Sequence, residues 1–172
     1  KVNAVLDPGS GLADAVELLR FCLRYGYQLR IIEQMPLDAG HQWRRDATLR
    51  ADDILTALGE HFTLSADPAP RGSAPAQLWQ VDGGPATAGI IASVSHAFCA
   101  ACDRTRLTAD GQVRSCLFAT EETDLRALLR GGADDDALAT AWRTAMWRKA
   151  AGHGINDPDF IQPQRPMSAI GG

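Results

Sequence analysis

The sequence predicts an α/β fold in which a β-α-β unit is followed by an antiparallel α+β lobe that carries a three-cysteine metal site. Two observations lead to this prediction. In the first 35 residues, two strand-like runs flank a segment of helical periodicity, and such a unit needs further strands to complete a sheet. Later, three of the four cysteines fall within 99–116, on either side of a predicted hairpin turn.

The β-α-β unit comes first along the chain. A strand over 1–6 ends at the turn signal 7–9, and apolar residues at helical spacing predict a helix over 12–25. Gly26 ends that helix. β-Branched residues then predict a second strand over 28–33.

A helix over 49–58, with Thr48 as its N-cap, and an antiparallel hairpin with strands 77–81 and 87–92 follow. Three prolines and a glycine in 67–75 predict a boundary between two lobes. The predicted domains are 1–66, the β-α-β part; 67–151, the lobe with the cysteines, hairpins and two further helices; and 152–172, an extended proline-containing tail that ends in Gly-Gly.

Cys99, Cys102 and Cys116 form a pattern typical of metal ligands. The first two have the spacing of a tight turn that directs two thiolates at one metal, and a hairpin turning at Asp110-Gly111 can return Cys116 beside them. Three readings are open. A structural zinc would take His96 as fourth ligand, a [4Fe–4S] cluster would keep one iron open for substrate, and a metal-free thiol cluster is the third alternative.

Arg104 and Arg106 favour the iron–sulfur reading. Residues two apart on a strand point to the same face, so both guanidiniums would lie together close to Cys102. Paired arginines offer bidentate hydrogen bonds to phosphate. A pair beside an open iron predicts a phosphorylated ligand that reaches the metal, against the alternative of a solvated strand face.

Two other positions have both a structural and a functional interpretation. Met35 follows the second strand, at the edge where parallel α/β sheets bind ligands, so it is either an apolar wall for a cofactor or a gap-filling core residue. Lys1 is either an exposed end or a phosphate ligand, and residue chemistry alone favours the exposed end. Cys22, inside the first helix, is predicted to be a core residue.

Composition excludes several classes of function. The 172 residues are 45% hydrophobic and 22% charged, with a net charge of −4, which argues against general nucleic-acid binding. No apolar run approaches the roughly 20 residues that cross a bilayer. Cysteine usage indicates a reducing cytoplasm rather than a disulfide framework. Since the sequence opens without Met, we expect the later part of a longer protein.

The sequence resembles the carboxy-terminal half of the radical-S-adenosylmethionine GTP 3′,8-cyclases, the family that starts molybdenum-cofactor biosynthesis. The stretches that carry the resemblance are 1–3, 30–36, 98–111, 116–118 and the terminal Gly171-Gly172. The cysteine segment with its Arg-x-Arg is the most specific of them.

The resemblance implies that the β-α-β unit is the last part of an incomplete radical-SAM (β/α) barrel, and that the protein contributes to the radical conversion of GTP. It also implies a second, substrate-binding [4Fe–4S] cluster whose open iron contacts the guanine. By the same resemblance, the metal ligands are Cys99, Cys102 and Cys116; the GTP-binding residues are Lys1, Arg104, Thr105 and Arg106; Met35 lies at the S-adenosylmethionine site; and Gly171 and Gly172, on the tail that enters the active site, are catalytic.

The sequence departs from the family pattern at Ile31, where the family has an aromatic residue, and at Ala150, where it has a proline. No three cysteines have the Cys-x3-Cys-x2-Cys spacing of the radical-generating cluster, so S-adenosylmethionine and a first [4Fe–4S] cluster would bind through an amino-terminal half. The expected partners are GTP and that half, with no nucleic acid and no membrane; homodimerisation is left open. A zinc-ribbon interaction module without catalysis is the alternative function, and a sulfur-carrier terminus is contradicted by the β-α-β opening.

Overall fold

The computed structural model of the protein describes residues 1–171. It contains two compact units, and each has its own sheet. The first unit comprises Lys1–Met35 and Trp43–Cys102. The second comprises Pro36–Gln42 and the chain from Asp103 onward.

The first unit is built on a five-stranded mixed sheet. Its elements are β1 (Val2–Val5), α1 (Gly11–Arg24), β2 (Leu29–Ile32), α2 (Ala51–Gly59), β3 (Leu64–Ala66), β4 (Gln77–Val81) and β5 (Thr87–Ile91). The strand order is β1-β2-β5-β4-β3, in which β1, β2 and β5 are parallel and β4 and β3 are antiparallel to their neighbours. The β-α-β unit and the β4–β5 hairpin are therefore confirmed.

The sheet of the first unit continues across the proline-rich stretch 67–75, where the sequence predicted a boundary. β3 precedes this stretch and β4 follows it, and the two strands pair with Leu64 opposite Val81. Backbone pairing between distant residues, which local composition does not report, brings the hairpin into the same sheet as the β-α-β unit.

Helices α1 and α2 cover one face of this sheet. Alternation along β2 directs Leu29 and Ile31 into the core, and both are fully buried. Cys22 is also fully buried among these apolar side chains, as predicted for a core residue. No helix within residues 1–171 has the length and apolar character required to cross a bilayer.

Glu33, directly after β2, is a carboxylate with only 1% of its surface exposed. Its Oε1 accepts the first backbone N–H of α2, from Ala51, at 2.7 Å, and a bond from the Ser95 hydroxyl. Its Oε2 accepts the backbone N–H groups of Val94 at 2.7 Å and Ser95 at 2.8 Å. One charge thus joins the end of β2, the start of α2 and the segment that follows β5.

The predicted N-cap of α2 was wrong. Arg50 occupies the cap position, and its backbone N–H donates to the Asp53 carboxylate at 3.0 Å. Thr48 instead donates its hydroxyl to the backbone carbonyl of Arg44 at 2.9 Å. The buried Glu33 carboxylate, which lies eighteen residues away from Ala51, replaces a local capping residue.

The second unit contains a small antiparallel sheet and two helices. Its elements are β6 (Arg106–Leu107), β7 (Gln112–Arg114), β8 (Thr123–Asp124), α3 (Leu125–Arg130) and α4 (Asp135–Trp147). Asp124 and Asp134 cap the two helices by accepting the backbone N–H groups of Ala127 and Ala137, each at 2.8 Å. As far as Gly171, the tail has no α-helix, as expected from its prolines, and it forms a 3-10 turn at Met167–Ala169.

We predict that Glu33→Ala lowers the free energy of unfolding by about 3 kcal/mol, because it leaves buried N–H donors without an acceptor. Urea denaturation followed by circular dichroism measures the change. The matched control is Glu17→Ala on the exposed face of α1, where the carboxylate is 72% exposed and we expect a change within about 0.5 kcal/mol. Equal shifts in the two variants would contradict a structural role for Glu33.

Candidate functional site

One face of the first sheet carries two cationic side chains. Lys1 lies two residues before Asn3, so their side chains share one face of the sheet. Asn3 on β1 lies opposite Arg30 on β2. Lys1 and Arg30 therefore belong to the face opposite the helices. The Nε of Arg30 is buried and has no hydrogen-bond partner among residues 1–171. Such an unpaired donor, on a face with a second cation, suits an anionic ligand.

Arg30 was not among the residues predicted to bind a ligand. A single arginine inside the apolar strand Leu29–Ile32 was the available signal. Its neighbour across the sheet is Gly89 on β5, where an added Cβ would lie 3.2 Å from the Arg30 Cγ. The glycine therefore leaves space for the aliphatic stem of the arginine.

Met35 and two of the cysteines lie in the first unit. Met35 is half-buried and follows β2 by three residues, at the carboxyl end of the strand as expected. Cys99 and Cys102 stand at the two ends of one 3-10 turn, closed by a 3.0 Å hydrogen bond from the Cys102 N–H to the Cys99 carbonyl. The turn therefore has the compact form predicted from the spacing.

Cys116 lies in the second unit, shortly after β7. It lines a cavity of about 390 Å³ whose wall includes Arg148 and His153. The His153 ring is tilted against that of Phe118, with 4.9 Å between the centroids. The thiol is half-buried, in contrast to the fully buried Cys22.

Within residues 1–171, no group of three His, Cys, Asp or Glu side chains is placed to hold a metal ion. The three-cysteine site is therefore not confirmed and stays a prediction. The donor chemistry nevertheless fits an iron–sulfur cluster, because three partly exposed thiols are the ligands that such clusters use. His96, the fourth ligand of the zinc reading, lies 3.6 Å from the Asp52 carboxylate through its Nε2.

Arg104, Thr105 and Arg106 lie at the start of the hairpin in the second unit. The strand β6 begins only at Arg106, so Arg104 precedes the strand and the two arginines are not on one strand, contrary to the sequence prediction. Burial lowers the pKa of the Arg106 guanidinium, and the positive charge of Arg104 lowers it further. The charge of Arg104 therefore disfavours the charged form of Arg106, and an anion bound close to Arg106 would offset this effect.

The carboxy-terminal tail meets this pair of arginines. Arg106 donates from Nη1 to the backbone carbonyl of Gly171 at 2.9 Å. Gly171 has a φ of +81°, which an L side chain rarely adopts. Ile170, next to it, is fully buried. Gly172, the second predicted catalytic glycine, lies outside the described residues.

A second group of charges lies on the same unit. Arg165, on the tail, pairs with both Asp110 carboxylate oxygens at 3.2 and 2.8 Å and with Glu122 through Nε at 2.9 Å. Arg114, only 2% exposed, also pairs with Glu122 and donates to the carbonyls of Leu117, at 3.2 Å, and Ala119. Asp110 was predicted only as a turn residue, and none of these ion pairs was predicted.

Comparison with known proteins identifies the family. Residues 27–155 match the family model described as Molybdenum Cofactor Synthesis C. The chain belongs to this family. The match includes all three cysteines and both arginines of the Arg-x-Arg pair, whereas Lys1, Arg165 and Gly171 lie outside it.

Curated relatives extend the comparison over the whole chain. The protein is 75% identical to proteins named GTP 3′,8-cyclase from Mycobacterium marinum and GTP 3′,8-cyclase 2 from Mycobacterium tuberculosis, and 77% identical to a GTP 3′,8-cyclase from Mycobacterium sp. (strain KMS). Each alignment covers 100% of this chain and 49% of the relative. The chain thus spans about half the length of the curated relatives it matches.

The electrostatics of Asp110 give a testable prediction for this member of the Molybdenum Cofactor Synthesis C family. Hydrogen bonds from Arg165 and from the Thr108 hydroxyl hold the pKa of Asp110 well below its ordinary value. Because the folded pKa is depressed, the stabilisation is present above the ordinary Asp pKa of about 3.9 and is lost as the pH falls through the lowered value.

Carbon-detected NMR titration of the Asp110 carboxyl group measures this effect. In Arg165→Gln, the pKa of Asp110 should rise toward its ordinary value. The exposed Arg130→Gln at the end of α3 serves as the control and should leave the titration unchanged. An unaltered midpoint in Arg165→Gln would show that the pair does not form in solution.

Proposed function

We propose that this chain is the substrate-binding half of a GTP 3′,8-cyclase. Such an enzyme converts GTP by a radical rearrangement to (8S)-3′,8-cyclo-7,8-dihydroguanosine 5′-triphosphate in molybdenum cofactor biosynthesis. The observation that carries the proposal is the 75% identity, over the whole chain, to a protein named GTP 3′,8-cyclase. The zinc-ribbon alternative is not favoured, since the relatives bear the name of an enzyme.

The partners in this proposal are GTP and an amino-terminal half. The relatives are about twice as long as this chain, which supports the second partner. By itself, this half is expected to be inactive because it lacks the Cys-x3-Cys-x2-Cys motif of a radical-generating cluster. The cytoplasmic location inferred from cysteine usage stays a prediction, and homodimerisation stays open.

Binding of the GTP phosphates is assigned to the cationic side chains. In the second unit, burial and the charge of Arg104 both lower the pKa of Arg106, and a bound triphosphate would offset both effects. In the first unit, Lys1 and Arg30 share one face of the sheet, and the buried Nε of Arg30 offers a donor. Each unit therefore supplies two cations suited to phosphate, and Thr105 adds a hydroxyl beside the arginines.

Cys99, Cys102 and Cys116 are the residues that would hold the second [4Fe–4S] cluster. When bound, this cluster would supply an open iron for the guanine. Met35 would contribute to the site of S-adenosylmethionine, the radical source that also needs the amino-terminal half. The contribution of this chain is to bind and orient the nucleotide so that its reacting atoms are held in place.

Gly171 and Gly172 complete the proposed site. The Gly171 carbonyl already accepts a hydrogen bond from Arg106, a proposed phosphate ligand. A residue without a side chain allows the backbone to approach a ligand closely. We therefore assign the tail glycines a catalytic role next to the bound nucleotide.

The metal content tests the cofactor assignment. Purified without oxygen, the chain should be brown and contain about four iron atoms per molecule. Replacing Cys99, Cys102 or Cys116 by Ala should remove this iron. The buried Cys22→Ala provides the matched control and should retain it, because its thiol lies in the core between α1 and the sheet. A colourless protein with one zinc would overturn the cluster and support the ribbon module.

Nucleotide titration tests the arginines. In the complete enzyme, Arg104→Ala and Arg106→Ala should each weaken GTP binding by about 1.5–3 kcal/mol, the range for hydrogen bonds to charged groups. Iron content should stay normal in both variants, and the exposed Arg130→Ala should bind GTP like the parent protein. Unchanged GTP affinity in both variants would show that Arg104 and Arg106 form a solvated surface and do not bind phosphate. Loss of iron would show that the arginines support the structure around the cluster.

A further inference from the structure

The end of the tail is held in place although it contains little regular structure. Ile170 is fully buried, and the backbone N–H of Met167 donates to the Leu37 carbonyl at 2.8 Å. The carbonyl of Gly171 then accepts the bond from Arg106. These contacts bring the last described residue to the hairpin that carries the proposed phosphate ligands.

Arg165 is the sole charged residue between 160 and 171. Its guanidinium is planar, and it uses two nitrogens on Asp110 and a third on Glu122. A planar group with several acceptors at fixed positions has few alternative orientations. The pairs with Asp110 and Glu122 therefore define the position of the tail five residues before Ile170.

Both acceptors of Arg165 are themselves fixed. Asp110 accepts a hydrogen bond from the Thr108 hydroxyl, in a turn whose Gly111 carbonyl accepts the backbone N–H of Leu125 at 3.1 Å. An added Cβ at Gly111 would lie only 2.5 Å from the Arg126 Cβ, so the turn is packed tightly on α3. Glu122 is held by the buried Arg114, as described above.

Asp110 and Arg106 belong to the same hairpin, between the start of β6 and the turn before β7. The tail contacts this hairpin twice, through Arg165 at the turn and through Gly171 at the start of β6. Arg165 and Gly171 thus attach the tail to the same hairpin at separate positions, in addition to the contacts of Met167 and Ile170.

We propose that Arg165, through its pairs with Asp110 and Glu122, is the positioning residue that sets how far Gly171 reaches along the hairpin toward Arg106. This inference rests on the proposed function, because the reach of the tail affects turnover only if its glycines act at the nucleotide site. Arg165 does not touch the nucleotide in this proposal; it acts through Gly171.

Hydrogen exchange in the full-length protein tests the attachment. In Arg165→Gln, the backbone amides of Ala169 and Ile170 should exchange about fivefold faster, the scale expected for a partly exposed ion pair. The amides of the β6–β7 hairpin should be unchanged. Arg20→Gln removes a comparable exposed pair, with Glu17 on α1, and should leave tail exchange unaffected.

Steady-state kinetics then test whether Arg165 positions the tail for turnover or only stabilises the fold. In Arg165→Gln, kcat should fall by about twofold to fivefold while the KM for GTP is retained, because the tail is undocked more often but the phosphate ligands are intact. Arg165→Lys keeps the charge but loses the planar fork, so partial recovery is expected. Asp110→Asn should lower kcat by a similar factor, and it replaces Arg165→Gln as the test variant if Arg165→Gln does not fold.

Unchanged tail exchange in Arg165→Gln and Asp110→Asn overturns the proposal, as does faster exchange with an unaltered kcat. If the parent full-length protein does not convert GTP, the proposed function fails, and tail exchange in Arg165→Gln still decides whether this residue holds the tail.

Discussion

The buried carboxylate of Glu33 is the interaction on which the first unit depends. A charge removed from water is unfavourable unless donors surround it, and here three backbone N–H groups and one hydroxyl do so. Those donors come from the start of α2 and from the segment after β5. This segment leads to the turn of Cys99, so the same charge holds the stretch that precedes two of the proposed cluster ligands.

The second unit uses charge in a similar way around its own loops. Arg114 is almost completely buried, and its guanidinium joins Glu122 to the loop that follows Cys116. Arg165 adds the tail to this arrangement. Functional residues placed on loops need such support, since a loop lacks the repeating hydrogen bonds that hold a strand or helix. In both units, therefore, a buried charge holds the segments next to a proposed ligand.

Some of the site could be predicted from the sequence, and some could not. The spacing of Cys99 and Cys102 predicted one tight turn, and the turn has that form. The roles of Arg30 and Arg165 were not predicted. Arg165 pairs with Asp110 and Glu122, which are distant along the chain. The buried, unpaired Nε of Arg30 becomes evident only when the sheet has formed. A Ser or Thr before a helix is normally a sound cap signal, yet α2 takes its acceptor from Glu33, which local sequence does not show.

The sequence by itself determined the β-α-β unit, the hairpin of β4 and β5 and the extended tail, because periodicity, turn residues and prolines act over a few neighbouring positions. Tertiary structure alone decided that the hairpin joins the first sheet, that Glu33 caps α2 and that Arg165 holds the tail on Asp110. These outcomes come from hydrogen bonds and ion pairs between residues tens of positions apart, whose energies depend on burial and geometry that arise only when the chain has folded.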